Sequence, residues 1–214
     1  MMKILFEDKH LLVVEKDAGI LSEPDGSGAD IVTLCSNHTG AEYFLVHRLD
    51  RGTGGVMVLA KTKLAAGKLS ALVSERAFSK EYLALIKGCP EEKEGVFKDL
   101  LFKDSRKNKS FVVTRARKGV KEASLEYRVL DSLNDTSLVL VKLHTGRTHQ
   151  IRVQFASRKM PLLGDGKYGS RDNRCETALW SCRLTFKHPI TGDEVRCTSL
   201  PPREYPWDLF ETEI

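Results

Sequence analysis

Ser124-Leu125-Glu126-Tyr127-Arg128-Val129-Leu130-Asp131, followed after Leu133-Asn134-Asp135 by Ser137-Leu138-Val139-Leu140-Val141-Lys142-Leu143, is the stretch that decides the fold. Apolar and polar residues alternate through Leu125, Tyr127 and Val129, the period of a half-buried strand, and the Asn-Asp pair between the two runs reads as a hairpin turn. Upstream, Lys80 to Lys87 has strand character and stops at Gly88-Cys89-Pro90. Between these lies Glu91 to Lys118, a polar, basic excursion in which only Phe111-Val112-Val113 looks able to pair. Downstream, His144-Thr145-Gly146 leads into a helix expected over Arg147 to Ser157, with Ile151 and Phe155 facing inward. Strands are expected at Leu179 to Phe186 and Glu194 to Thr198, joined through Pro189-Ile190-Thr191-Gly192. Towards the start, Ile4 to Phe6 and Leu11 to Val14 form a further hairpin. Tyr43 to Val46 and Val56 to Ala60 flank a glycine-rich loop at Arg51 to Gly55, and Thr62 caps a helix running to about Phe78. Strands in succession with two isolated helices give an α+β fold on a largely antiparallel mixed sheet with flanking helices and loops.

The 214 residues, 41% hydrophobic and 29% charged, suffice for one large domain or two small ones and exclude a disulfide-stapled miniprotein. No apolar run approaches the ~18 residues of a membrane helix, and acids follow soon after the first residues, so neither a span nor a signal peptide is expected. The five cysteines, Cys35, Cys89, Cys175, Cys182 and Cys197, never form a Cys-x-x-Cys pair, which reads as reduced, packed thiols in the cytoplasm rather than a metal or redox centre. Net charge is +5, unevenly placed. Lys103 to Arg128 holds nine basic and three acidic residues, His144 to Arg174 holds seven and two, and the first thirty residues hold three and seven. Such polarity suits a surface that meets a polyanion, although solvated loops would show the same counts.

Gly52-Thr53-Gly54-Gly55 lacks the Gly-Lys-Ser/Thr ending and the following helix that a phosphate loop needs. Two other segments carry dense polar residues. In Val46-His47-Arg48-Leu49-Asp50-Arg51-Gly52, Asp50 stands between two arginines, surroundings that keep a carboxylate ionised and fit for nucleophilic or base chemistry. The alternative is an Asp capping its own loop. In His144-Thr145-Gly146-Arg147-Thr148-His149-Gln150-Ile151-Arg152, a helix would place His149 and Arg152 on one face, with Arg152 able to pair with Asp50 and Arg147 able to meet phosphate. The alternative is a charged, solvated helix face.

These two segments, with Lys80-Glu81-Tyr82 between them, resemble the RluA family of pseudouridine synthases, whose signature is His-Arg-Leu-Asp-x-x-Thr-x-Gly. The resemblance extends to Ile4 to Gly28, Gly146 to Val153, Pro161-Leu162-Leu163-Gly164-Asp165 and the final hairpin ending at Pro201-Pro202, and so spans nearly the whole chain in the family's order. The chain departs where the family commonly has Ser (Gly54), Pro (Asp17) and His-Ala (near Ser181-Cys182).

The resemblance implies a single catalytic domain over 1–214 with a central basic cleft, and no accessory RNA-binding domain at the N-terminus. It implies an isomerase that converts uridine in ribosomal or transfer RNA to pseudouridine, with Asp50 attacking the uridine, Tyr82 against the uracil and Arg152 paired with Asp50. Arg48 is then placed to fill the gap left by the flipped base, while Arg147, His149, Arg115, Arg117 and Lys118 are candidates for backbone contact. No cofactor, metal or membrane is expected, because uridine and its product are isomers; the partner is an RNA stem-loop and the protein a monomer. A noncatalytic RNA-binding or RNA-folding protein would share the basic surface but has no need of Asp50, Tyr82 and Arg152 together. A nucleoside or phosphoester hydrolase would call for a metal or a second carboxylate beside Asp50, and the nearby sequence offers neither.

Overall fold

The computed structural model describes residues 3–212, which form two compact units. The first contains residues 3–80 and 180–201, the second 81–179 and 202–212. No helix among the described residues is long and apolar enough to cross a membrane.

In the first unit, β1 (Lys3–Glu7) and β2 (Leu11–Lys16) form the expected antiparallel hairpin. Oδ1 of Asp8 closes its turn by accepting the amides of His10 and Leu11, both at 2.7 Å. β2 runs antiparallel to β4 (Gly54–Ala60). The other edge of β4 is shared: β3 (Phe44–Leu45) lies antiparallel along Leu59 and Ala60, and β10 (Leu179–Lys187) runs parallel along Gly54 and Gly55. β11 (Glu194–Thr198) pairs antiparallel with β10. With neighbours on both edges, every residue of β4 is buried, which explains its unbroken apolar run. Helix α1 (Ile31–Thr39), which the sequence reading did not foresee, is capped by Asp30, whose side chain accepts from the Thr33 amide, and ends at left-handed Gly40. Helix α2 (Lys63–Ser74) is capped by Thr62 as expected but stops four residues short of Phe78. Arg76 there takes a left-handed φ of 60°, and the freed Phe78 stacks on Phe186 at 4.7 Å within the core of Leu11, Val13, Val56, Val58 and Leu69.

In the second unit the strand order is β5 (Ser79–Lys87), β9 (Thr136–Leu143), β8 (Val120–Leu133), β6 (Glu94–Asp104), β7 (Lys109–Val113). The β8–β9, β6–β8 and β6–β7 pairs are antiparallel. The decisive hairpin is therefore present, and longer than its alternation suggested. The supposed excursion is corrected: most of Glu91 to Lys118 is a second antiparallel hairpin, β6–β7, with residues 91–93 before it and a loop at 114–119 after it. Its strand β6 escapes a period-two reading because few of its residues, Phe97 and Leu101 above all, are buried. Helix α3 is also corrected, to Gln150–Ala156. It starts three residues later than expected because His149 has a left-handed φ of 53°. Phe155 of α3 packs edge-on against Phe97 at 5.1 Å and Tyr127 at 5.8 Å, fixing the helix on the sheet. The five cysteines are free, but Cys89 is exposed rather than packed.

Candidate active site

The loop bearing Asp50 is held in the first unit by the segment that follows β2. Gly19 donates its amide to the Arg51 carbonyl at 2.8 Å, and Nε of Arg51 returns a bond to the Gly19 carbonyl at 3.1 Å. The fully buried Lys16 turns its ammonium onto three carbonyls, those of Ile20 (2.7 Å), Asp17 (3.0 Å) and Arg51 (3.4 Å). Ser22 binds both polar backbone groups of Leu49. Inside the loop the Thr53 amide donates to the Asp50 carbonyl at 2.9 Å. Asp50 is half-buried, its neighbours on both sides are pinned, and Arg48 beside it is exposed and ion-paired with Glu23.

His47, at the start of the same segment, accepts the Val58 amide on Nε2 at 3.1 Å, which ties the loop to the buried strand β4. Burial, with the Lys80 charge adding to it, pushes the His47 ring down to about 3, so the imidazole is neutral and serves as an acceptor. Burial also holds Lys80 below the usual lysine range. The glycine that departs from the family pattern has a local cause: a Cβ on Gly54 would lie 2.2 Å from the ring of Trp180, its strand partner.

In the second unit, Arg152 is the best-defined charged residue. Its Nε and Nη2 grip the two oxygens of Asp165 at 2.7 and 2.8 Å, a bidentate pair with Asp165 almost wholly buried. Residues Gln150 to Phe155 are all buried, so the solvated helix face that the charge pattern permits is not what forms. Asp165 is brought to Arg152 by the Pro161–Asp165 segment, which runs beside β5: Lys87 donates to the Pro161 carbonyl and Leu163 to the Leu85 carbonyl, each at 2.9 Å. Tyr82 is buried on that same strand.

Tyr168 organises the rest. The Arg152 guanidinium lies 5.2 Å and the Lys109 ammonium 4.9 Å from its ring centre, and its hydroxyl sits 3.0 Å from Nδ1 of His149 and accepts the Ser110 amide at 2.8 Å. Burial raises the Tyr168 phenol, outweighing the bonds from Ser110 and the Arg152 charge, so it stays protonated. Gln150 shapes the turn before the helix, accepting from the Thr145 hydroxyl (2.7 Å) and the Arg147 amide (3.0 Å) while donating to the Ser124 carbonyl (3.0 Å). The Arg147 side chain is half-buried, with Nε donating to the Glu122 carbonyl at 2.9 Å.

The structure thus gathers His149, Arg152, Asp165, Tyr168 and Lys109 in one cluster. Arg115, Arg117 and Lys118 lie apart from it, exposed in the loop at the opposite end of β7 from Lys109, where Arg117 stacks on Phe102 at 4.7 Å. Sequence reasoning passed over Lys16, Ser22 and Tyr168, took Lys109 only as part of the basic Lys103 to Lys121 segment, and quoted Asp165 only as part of a motif. Nothing in their residue types sets them apart from surface residues; only the turns beside them, at Gly19 and Gly164, hint at close packing.

A family model described as RNA pseudouridylate synthase matches residues 10–157. Over 224 residues the chain is 32% identical to ribosomal large subunit pseudouridine synthase D of Zymomonas mobilis, covering 95% of this chain and 70% of that protein. It is 36% identical over 234 residues to an Aquifex aeolicus protein named as an uncharacterized RNA pseudouridine synthase, covering 99% and 69%. Among solved structures, human RNA pseudouridylate synthase domain containing 1 superposes with a TM-score of 0.82 at 25% identity, covering 98% of this chain and 87% of that one. Human RNA pseudouridylate synthase domain containing 4 gives 0.79 at 26%, covering 97% and 91%. Sequence match and architecture agree: the chain belongs to the RNA pseudouridylate synthase family, isomerases that act on uridine in RNA.

Proposed function

We propose that this enzyme modifies a uridine in a stem-loop of large-subunit ribosomal RNA, with Asp50 as its catalytic carboxylate. The observation that carries the reading is the half-buried carboxylate between two pinned neighbours, in the segment where the family signature places its Asp. The ribosomal target follows from the name of the Zymomonas mobilis relative.

The reaction breaks the bond from N1 of uracil to C1′ of the ribose, turns the base, and joins C5 to C1′. The C5 hydrogen leaves as a proton and N1 gains one, so product and substrate are isomers and no oxidant or reductant enters. The base must first leave its stack. In this reading Arg48 fills the gap, Tyr82 lies against the uracil, Asp50 attacks, and Arg152 is the third catalytic residue. The chain acts as one catalytic domain over 1–214, as a monomer in the cytoplasm. Arg147, His149, Arg115, Arg117 and Lys118 contact phosphates; the exposure of the 114–119 loop supports this for the last three.

Pseudouridine-specific chemical mapping of ribosomal and transfer RNA, from cells with and without the protein, tests the target. The expected result is loss of at least one pseudouridine from large-subunit ribosomal RNA. Identical ribosomal maps from the two cell lines would overturn the assignment.

A further inference from the structure

Resting on the functional reading of Asp50, we propose that Ser22 is a positioning residue for catalysis, acting through the backbone of Leu49. The Ser22 hydroxyl donates to the Leu49 carbonyl at 2.7 Å and accepts the Leu49 amide at 3.0 Å. One side chain therefore takes both polar backbone groups of the residue before Asp50. The Leu49 carbonyl belongs to the same rigid peptide plane as the Asp50 amide, so fixing its direction fixes where the Asp50 Cα, from which the carboxylate leaves the chain, sits.

Ser22 can do this because it is itself anchored and dry. It is only 4% exposed. Its neighbour Leu21 donates to the Ala29 carbonyl at 3.0 Å and accepts the Ile31 amide at 2.9 Å, which ties it to the start of α1. The line of support runs from α1 through Leu21 and Ser22 to Leu49 and then Asp50. On the far side of Asp50, the bonds of Gly19 and Lys16 to the Arg51 carbonyl close the frame. Because Leu49 is buried, its amide and carbonyl have no ready exchange with water, and an apolar residue at 22 would leave both to find new partners by shifting the loop. A hydroxyl is the small group that donates and accepts at once, so Thr can replace Ser here and Ala cannot.

The test compares wild type, Ser22→Ala and Ser22→Thr on large-subunit ribosomal RNA transcribed with 5-tritiated uridine, following release of tritium from C5. Melting temperature is measured alongside. Misplacing a reacting group by a fraction of an ångström to an ångström costs up to about a hundredfold in rate. For Ser22→Ala the expected result is kcat lower by about thirtyfold or more with KM within about threefold, because RNA is still bound by the phosphate-contacting residues. Ser22→Thr should recover most of the kcat. Should Ser22→Ala not fold, Ser22→Cys, similar in shape but a weak donor, is expected to show the same kcat-selective loss. Undiminished kcat per folded molecule in Ser22→Ala or Ser22→Cys, or a loss that Thr does not restore, would overturn the proposal while leaving the function standing. No tritium release by wild type would overturn the functional reading itself and this proposal with it.

Discussion

Asp165 shows how much a single buried charge can decide. It is 1% exposed and binds both Nε and Nη2 of Arg152, so the plane of the guanidinium is fixed. Removing the charge while keeping the shape, by Asp165→Asn, leaves a buried guanidinium without its bidentate partner, and breaking such a pair costs about 3 kcal/mol or more. Urea unfolding should show a loss of that size. The double variant Arg152→Met with Asp165→Leu should lose less, because no uncompensated charge remains. Equal losses in the two would mean that the pair does not act as a unit. At this scale the sequence was only half readable. Asp50 and Arg152 stood out because charge in a motif is visible, whereas Lys16 sits in an acidic stretch like any surface lysine and is in fact fully buried on three carbonyls.

Elements were legible where one pattern ruled. β4 is a continuous apolar run, β8 and β9 alternate, and Thr62 caps α2, so each was found close to its place. α1 was missed because only Ile31 and Cys35 of its nine residues are buried, too few for a helical stripe; its signals are the capping Asp30 and Gly40 at its ends. β6 was missed for the same reason, and α3 started late because a histidine, not a glycine, takes the left-handed turn before it. The link between the Asp50 segment and β4 has its own consequence. His47 accepts the Val58 amide as a neutral ring, with its ionisation pushed down to about 3, against about 6.5 in an unfolded chain. Between those values the unfolded chain binds a proton that the folded one does not. The stability contributed by neutral His47 is therefore complete above about pH 6.5 and is lost as pH falls, by up to about 1.4 kcal/mol per unit. His47→Gln, which can still offer an acceptor to Val58, should be less acid-sensitive than wild type in melts between pH 7 and 4.5. Parallel curves would place the acid sensitivity elsewhere.

For the molecule as a whole, the two basic zones of the sequence become exposed side chains and buried clusters in one and the same unit, the second, while the signature carboxylate belongs to the first. The fold class followed from strand succession alone, but the division into two units did not, since the chain enters the second at residue 81 and leaves it at 179 in the middle of ordinary strand patterns. The proposed function rests on a single carboxylate, Asp50, in a frame of backbone hydrogen bonds, and that is the claim to test. Asp50→Asn keeps the size and most of the hydrogen bonding of the loop and removes the negative charge that attacks. Wild type and Asp50→Asn, both folded and both binding RNA, are incubated with large-subunit ribosomal RNA carrying 5-tritiated uridine, and tritium release is followed with pseudouridine mapping of the product. The account predicts stoichiometric release at a discrete site by wild type and none by Asp50→Asn. Release by Asp50→Asn at even about a tenth of the wild-type rate, a loss of only about 1.4 kcal/mol in transition-state stabilisation, would contradict it.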